Sequence, residues 1–353
     1  MKKGKILGAA FGFIGMLTVT LSFSACQRSE NAVATKIKDI PTIEKYFVSG
    51  KAESCTMNVD LSEYVNANGA SVTYDVVSSG ESVNACVKDD TLSIMINDDG
   101  QSALSVNVNS DGVRAFSFRF EVVSHKISKV YCVGDSLTAG HSFPQFSYPT
   151  FLGQALGETV VVENCGVNGA QITGFGGLGA DYRYDGKNET ADAYARSLEP
   201  TPDVVLVMLG TNDAKGWIKL QAAIDDGTYE DKSVKTSSEA YEKGYKKLID
   251  TYLDRFPESA VIAVVSPPTI STNKLNIPND TIKNEVNPVQ RKVIDELQLK
   301  NIDARVLFES KMTASKGENT YEYISMFRDD GVHFSSKGAT FLANAVADYI
   351  YTL

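Results

Sequence analysis

Three residues of this chain could together carry out nucleophilic chemistry, and the first of them is a serine. Ser136 follows Gly134 and Asp135 at the end of an apolar run, residues 130–133, that is typical of a strand buried on both faces. Open α/β sheets bind ligands at the carboxyl ends of their strands, so a serine here could attack a bound substrate. Because Gly-Asp-Ser is also ordinary turn sequence, this interpretation requires partners elsewhere in the chain.

A base for this serine has to come from three histidines, of which His333 has the most suitable neighbour. It lies three residues after Asp330, in a loop just before the last helical segment. This spacing can place the carboxylate against Nδ1 of the imidazole, which leaves Nε2 free to accept a proton. His125 lies in a predicted connection between domains and His141 in a polar loop, so we expect surface or structural roles for both.

Two other strand ends carry residues that could donate hydrogen bonds to a developing oxyanion. The first is the segment 164–170 (NCGVNGA), where Gly166 and Gly169 free the backbone to present its amides. The second is the segment 209–213 (LGTND), from which Asn212 could reach the same edge of the sheet. Each segment alone is common turn sequence, but together they predict one site around that edge.

The segments resemble, in order, the four motif blocks of the SGNH hydrolases, also called GDSL esterases. The blocks read GDSL at 134–137, NxGxxG at 164–169, GxND at 210–213 and DxxH at 330–333, within a resemblance that covers residues 127–353. The resemblance implies an α/β fold, a three-layer α/β/α sandwich close to a flavodoxin-like parallel sheet. It also implies that the enzyme needs no metal or other cofactor.

By motif position, the resemblance implies that Ser136 is the nucleophile, His333 the general base and then acid, and Asp330 the residue that orients it. The oxyanion hole would consist of the backbone amides of Ser136 and Gly169 and the side chain of Asn212. Segments such as SYPTFLGQALG and VSPPTI are similar to exported bacterial members that deacetylate carbohydrates. The implied reaction is therefore hydrolysis of O-acyl esters, above all O-acetyl esters on carbohydrate, through an acyl-enzyme.

Substrate contacts and two other functions stay open at this stage. Candidates for substrate binding are Asp135, Tyr182 and Tyr184 in the glycine-rich stretch 171–201, and Trp217, which could stack on a sugar or pack against a helix. A lipase or lysophospholipase could use the same machinery, although it would need a long apolar groove. A non-catalytic surface protein could instead bind glycans with its first domain.

Composition indicates an exported protein with two domains. Residues 1–26 have the basic start and apolar core of a signal peptide, and LSFSAC resembles a lipoprotein cleavage box that would leave Cys26 acylated. Phe23 departs from the small aliphatic residue usual in that box, so ordinary signal-peptidase cleavage is the alternative. Residues 27–43 are typical of a linker, and residues 44–124 predict a small all-β sandwich resembling immunoglobulin-like or cadherin-like modules. In residues 125–353, strands alternate with helical patterns, which predicts a parallel sheet with crossover helices.

The same composition restricts the partners. A formal charge of −10 repels phosphate backbones, so we expect no nucleic acid partner. We expect an acylated carbohydrate or small ester as substrate, and a membrane contact through the lipid at Cys26, in a cell-surface or periplasmic bacterial lipoprotein. Cys132 and Cys165 are expected to be buried and unpaired, whereas Cys55 and Cys86 could form a disulfide.

The elements of the second part follow from its periodicity. The predicted strands are 130–133, 159–163, 204–209, 261–265 and 304–307. The predicted helices are one capped by Thr236, one over 280–299 that is kinked or broken at Pro288, and one over 337–351.

Overall fold

The computed structural model describes residues 34–175 and 201–353, and the first part of it is an all-β sandwich. Its elements are β1 (Thr35–Lys36), β2 (Ile43–Phe47), α1 (Ala52–Cys55), β3 (Thr56–Asp60), β4 (Val65–Asn66), β5 (Val72–Ser79), β6 (Val83–Lys88), β7 (Thr91–Ile96), β8 (Gly100–Ser110) and β9 (Val113–Lys126). A four-stranded sheet in the order β2-β9-β8-β5 faces a three-stranded sheet in the order β3-β7-β6. Both sheets bury side chains in one shared hydrophobic cluster, which joins them as a sandwich.

The segment predicted as a linker is partly packed onto this sandwich. Thr35–Lys36 pairs with Val65–Asn66, and Ala34 is only 2% exposed. Residues 34–36 of the predicted linker are therefore packed onto the sandwich, and residues 27–33 of it lie outside the described residues.

The second part contains a five-stranded parallel sheet. Its strands are β10 (Lys129–Gly134), β11 (Val161–Gly166), β12 (Val204–Met208), β13 (Ala260–Val265) and β14 (Lys300–Asp303). They lie in the order β11-β10-β12-β13-β14, and every pairing is parallel. Numbered within this part, the order is 2-1-3-4-5, which is the flavodoxin-like arrangement with its ligand crevice beside the first strand. The predicted fold class is confirmed.

Helices flank this sheet in two groups. They are α2 (Ser136–Ala139), α3 (Tyr148–Leu156), α4 (Thr211–Asp225), α5 (Ser237–Arg255), α6 (Asn279–Thr281), α7 (Asn287–Leu297), α8 (Ala304–Glu309), α9 (Tyr321–Ile324) and α10 (Ser336–Thr352). α3 packs against α10, whereas α5 packs against α4 and α7, so the sheet lies between two helical layers.

Local chemistry explains two helix boundaries that the sequence predicts. Thr236 caps α5, since its side chain accepts a hydrogen bond from the backbone N–H of Glu239. Before Pro288 the chain forms a π-helical turn, Ile282–Val286, that separates α6 from α7. This turn fits the proline, which lacks an N–H and cannot continue a regular α-helical ladder.

The prediction for the last strand is wrong. Residues 304–307 belong to α8, and the strand that pairs with β13 is Lys300–Asp303. Asp303 ends the strand and caps the helix, because its carboxylate accepts a hydrogen bond from the N–H of Val306. Ala304 and Phe308 are buried while Val306 is 58% exposed, so the apolar run follows helical spacing rather than strand alternation.

The sandwich and the α/β part are joined closely. Only Ile127 and Ser128 separate β9 from β10. The N–H of Tyr46 donates to the carbonyl oxygen of Leu353 at 3.3 Å, and Lys45 Nζ donates to that of Tyr351 at 2.8 Å. The sandwich is therefore fastened to the end of α10 as well as to the first strand of the parallel sheet.

The four cysteines within the described residues are free thiols. Cys132 and Cys165 are buried in the neighbouring strands β10 and β11, as expected for unpaired strand residues. Cys55 and Cys86 are not bonded to each other, so the disulfide that the sequence allows between them is not present.

Candidate active site

Ser136 lies at the carboxyl end of the inner strand β10, where it begins helix α2. Asp135 caps this helix, since its Oδ1 accepts a hydrogen bond from the N–H of Leu137 at 2.9 Å. Gly134 is required at the strand end because a Cβ there would lie 2.6 Å from the carbonyl oxygen of Met208 in β12. The sharp change from strand to helix therefore presents the serine above the sheet edge.

The structure brings His333 and Asp330 to this serine. His333 Nε2 lies 2.9 Å from Ser136 Oγ, and Nδ1 lies 2.8 Å from Asp330 Oδ2. The other oxygen of Asp330 accepts hydrogen bonds from the N–H groups of Val332 and His333, each at 2.8 Å. The carboxylate is thus held by its own loop while it orients the imidazole.

Burial and hydrogen bonding set the charge states of this pair. Burial lowers the pKa of His333, and the hydrogen bond that its Nδ1–H donates to Asp330 offsets only part of this effect. Burial also acts on Asp330, but the hydrogen bonds that it accepts from His333 and Val332 outweigh it and lower the pKa of this carboxyl. At neutral pH the pair is therefore a neutral imidazole beside a carboxylate, with Nε2 able to take a proton from the serine.

The predicted oxyanion donors line the same cavity as Ser136 and His333. The cavity has a volume of about 260 Å³, and its walls include Gly169 and Asn212. Gly169 has a φ of 82°, a left-handed conformation that suits glycine. Within residues 34–175 and 201–353, the N–H groups of Ser136 and Gly169 donate to no other group of the chain, which leaves them available to a ligand. No group of three His, Cys, Asp or Glu side chains in these ranges is placed to hold a metal ion.

The side chain of Asn212 is held in a fixed direction. Its Nδ2 donates to the carbonyl oxygen of Ala170 at 3.0 Å and to Asp135 Oδ2 at 3.3 Å. Asp135 itself is only 1% exposed, so it supports Asn212 instead of contacting substrate, which corrects the prediction. Burial, together with the nearby carboxylate of Asp213, raises the pKa of Asp135 to about 7.

The other predicted substrate contacts divide into two groups. Trp217 is only 9% exposed and packs 5.8 Å from the ring of Tyr241 in the core, so it is a packing residue and cannot stack on a sugar. Tyr182, Tyr184 and the lipidation candidate Cys26 lie outside the described residues.

His141 belongs to the site, although the sequence predicts a surface or structural role for it. Its ring stacks on that of His333, with centroids 4.3 Å apart and planes 9° from parallel, and it lines the catalytic cavity. The loop that carries it follows α2 and is fixed where Arg328 Nη2 donates to the carbonyl oxygen of Gly140 at 3.1 Å. The only sequence signal was a histidine five positions after the candidate nucleophile.

The hydrogen-bonded serine, histidine and aspartate at the edge of a flavodoxin-like sheet form an arrangement that could activate the serine for nucleophilic attack, and comparison with known proteins gives the family. The model of the GDSL-like lipase/acylhydrolase family matches residues 132–341, and the chain belongs to that family. This match assigns the α/β part to the carboxylic ester hydrolases as a class.

The individual relatives have low sequence identity to this chain. An acetylxylan esterase of Xylanibacter ruminicola is 28% identical over 225 residues, which are 62% of this chain and 42% of that protein, so the chain spans less than half of its length. The crystal structure of a lipase/acylhydrolase from Enterococcus faecalis has a TM-score of 0.44 at 19% identity, covering 64% of this chain and 96% of that one. That of Est24, a carbohydrate acetylesterase from Sinorhizobium meliloti, has a TM-score of 0.44 at 21% identity, covering 62% and 96%.

Proposed function

We propose that this protein is a serine esterase that removes O-acetyl groups from carbohydrate through an acyl-enzyme at Ser136. The observation that carries the proposal is the continuous hydrogen-bonded line from Asp330 through His333 to Ser136 Oγ, with distances of 2.8 Å and 2.9 Å. Family membership supports ester hydrolysis as the reaction class. The named activity of the relative, acetylxylan esterase, supports acetyl as the acyl group and a glycan as the alcohol.

Each step has a residue that fits it. His333 Nε2 takes the proton of Ser136 as Oγ attacks the acyl carbon, and the oxyanion that forms faces the N–H groups of Ser136 and Gly169. Asn212 Nδ2 becomes the third donor when it exchanges its longer hydrogen bond, to Asp135 Oδ2, for one to the oxyanion. His333 then gives this proton to the oxygen of the leaving sugar, which breaks the ester bond. In the second half, His333 takes a proton from water and the hydroxide attacks the acyl-enzyme. His333 then returns that proton to Oγ as the bond to Oγ breaks, and acetic acid leaves and ionises to acetate in solution.

The decisive measurement is hydrolysis of p-nitrophenyl acetate by the parent chain and by Ser136→Ala. We expect the variant to lose at least about 10³-fold in kcat/KM, because the proposed acyl-enzyme forms on Ser136 Oγ, which the substitution removes. Ser310→Ala, at an exposed serine whose Oγ donates to the carbonyl oxygen of Leu307, is the matched control and should keep the parent rate. Equal rates for the parent and Ser136→Ala would refute the mechanism.

The acyl preference and the alcohol need their own assay. The parent should hydrolyse p-nitrophenyl acetate faster than the decanoate, in line with the acetyl esters for which the similar acetylxylan esterase is named. It should also release acetate from acetylated xylo-oligosaccharides, measured by chromatography of the products. A preference for decanoate would instead support a lipase or lysophospholipase.

We also propose that the chain is exported and anchored to a membrane through acyl groups on Cys26. Lys2, Lys3 and Lys5, the apolar stretch that follows, and the LSFSAC sequence support this. Over residues 34–175 and 201–353, no helix has the length and apolarity to cross a bilayer. Expression of the full chain with radiolabelled palmitate in a bacterium tests the anchor: Cys26→Ser should lose both the label and the membrane fraction. Label that persists in this variant would contradict the proposal.

The division into a module over residues 44–124 and a hydrolase domain over 125–353 is likewise a proposal. Two separate hydrophobic clusters support it, one in the sandwich and one around the parallel sheet. Tyr46 and Val48 belong to the second cluster although they precede the boundary. The module therefore contributes a small part of the packing of the hydrolase domain.

A further inference from the structure

A second cavity adjoins the one that contains Ser136. It has a volume of about 580 Å³ and lies between helix α4 and the loop 271–281. Lys215 and Ile277 line both cavities, so the two lie side by side and share part of their walls, and together they are called the cleft below. Sites for small ligands commonly measure roughly 300–1,000 Å³, and this cleft therefore has room for more than an acetyl group and the sugar that carries it.

The outer wall of the second cavity is fixed to the catalytic loop. The N–H of Ile270 donates to the carbonyl oxygen of Gly331, and that of Lys274 donates to the carbonyl oxygen of Asp330, both at 2.8 Å. Inside the wall, the Asn273 side chain accepts from the N–H of Ile277 at 3.0 Å and donates to its carbonyl oxygen at 2.6 Å. A ligand held by this wall would therefore keep a constant position relative to His333.

The charge of the cleft is carried by one residue. Among the described residues that line the two cavities, Lys215 is the only Lys, Arg, Asp or Glu. It lies three residues after Asn212, one helical turn along α4, which places the two on the same side of the helix. Its ammonium group has no hydrogen bond or ion pair to any described part of the chain, and no carboxylate in the lining neutralises it. A lone cation in a concave, polar cleft favours an anionic ligand group.

We propose that the second cavity is a subsite for a uronic acid residue next to the acetylated sugar, with its carboxylate bound by Lys215 Nζ. The hydroxyl and amide groups of Ser271, Thr272 and Asn276 give this cavity the hydrogen-bonding partners that sugar hydroxyls require. This inference rests on the proposed esterase function and names its substrate class, an acetylated acidic oligosaccharide.

The test compares acetate release from two acetylated xylo-oligosaccharides of equal length, one with a glucuronic acid branch and one without. For the parent, kcat/KM should be higher on the acidic oligosaccharide. In Lys215→Met the ratio of the two kcat/KM values should fall by about tenfold, equal to ~1.4 kcal/mol, and the fall should come from KM on the acidic substrate. Lys219→Met, one turn further along α4 and outside both linings, is the matched control and should keep the parent ratio.

A second variant tests the charge of the cavity without touching the lysine. Asn276→Asp places a negative charge in the lining and keeps a residue type that tolerates the φ of 53° found there. It should lower the same ratio, and the effect of each variant should weaken as salt is added. An unchanged ratio in Lys215→Met would overturn the inference, as would an equal loss of kcat on both oligosaccharides and on p-nitrophenyl acetate, because Lys215 would then act on the oxyanion.

The outcomes of this test are separable from the proposed function. If the parent chain does not hydrolyse p-nitrophenyl acetate or either oligosaccharide, the esterase proposal itself is contradicted. If it hydrolyses all three with the same ratio in every variant, the esterase proposal stands and the acidic subsite is wrong.

Discussion

Replacing Asp135 with asparagine should change how the stability of the protein depends on pH. The side chain is only 1% exposed, and burial raises its pKa from 3.8 to about 7, opposed by the hydrogen bond from the Leu137 N–H and aided by the nearby Asp213. A pKa that is higher by one in the folded state than in the unfolded state corresponds to ~1.36 kcal/mol, so the ionised carboxylate costs the folded state about 4 kcal/mol. Asp135→Asn removes this group.

The sign of the effect follows from proton binding. Between pH values of about 4 and 7, the folded chain keeps a proton on Asp135 that the unfolded chain has lost, so raising the pH through this range destabilises the parent. The variant has no such dependence at this position. The free energy of unfolding of Asp135→Asn, minus that of the parent, should therefore increase by about 4 kcal/mol from about pH 4 to about pH 8.

Urea unfolding of both proteins at four or five pH values measures this difference. Any constant cost of the substitution cancels, including the hydrogen bond that Asn212 Nδ2 loses when it faces a second amide donor. Asp329→Asn, at an exposed carboxyl beside the catalytic pair, is the matched control and should give a flat difference. A difference for Asp135→Asn that stays within about 1 kcal/mol over the whole range would refute the reasoning.

Two further substitutions test the histidine that stacks on His333 and the packing of the helix that begins with Ser136. His141→Asn removes the ring that stacks on His333, and with it the electrostatic effect of His141 that lowers the pKa of His333. The acidic limb of the pH profile of kcat/KM should therefore move to higher pH. A limb that stays in place or moves to lower pH would count against this role of His141. Gly166→Ala would bring a Cβ within 2.8 Å of Ala139 Cα in the helix of the nucleophile, and should cost about 1–3 kcal/mol and lower the hydrolysis of p-nitrophenyl acetate. Gly153→Ala is the control: its new Cβ would have Val162 as nearest neighbour at 3.7 Å, so the variant should be neutral or stabilising by up to about 1 kcal/mol. An equal decrease of the unfolding temperature in Gly166→Ala and Gly153→Ala would contradict the packing argument.

The parallel sheet could be predicted because its inner strands are buried on both faces. β10, β12 and β13 appear in the sequence as unbroken apolar runs, and the residues directly after β10 and β12 are those that carry the site. The edge strand Lys300–Asp303 contains a single buried residue, Ile302, and therefore lacked this signal. The apolar residues after it, which belong to α8, attracted the strand prediction in its place.

The side chains of the site were predictable to different degrees. Residues fixed by the ends of strands, such as Ser136 and Asn212, could be placed from the sequence, because the sheet itself determines where they meet. The stacking of His141 and the burial of Asp135 depend on the path of the loop after α2 and on packing from several elements, which no local pattern records. No motif in the sequence marks Lys215, and only the cavities that it lines give it a distinct environment.

The short connection between the two sheets has a consequence for orientation. Only two residues join β9 to β10, and the N–H of Tyr46 donates a hydrogen bond to the carbonyl oxygen of Leu353. These two connections restrict rotation of the sandwich relative to the α/β part. If the sandwich binds a surface, its orientation there would therefore determine the direction in which the cavity that contains Ser136 opens. In such an arrangement, the orientation of the enzyme on that surface, as well as the shape of its cleft, would determine which face of a polymer it binds.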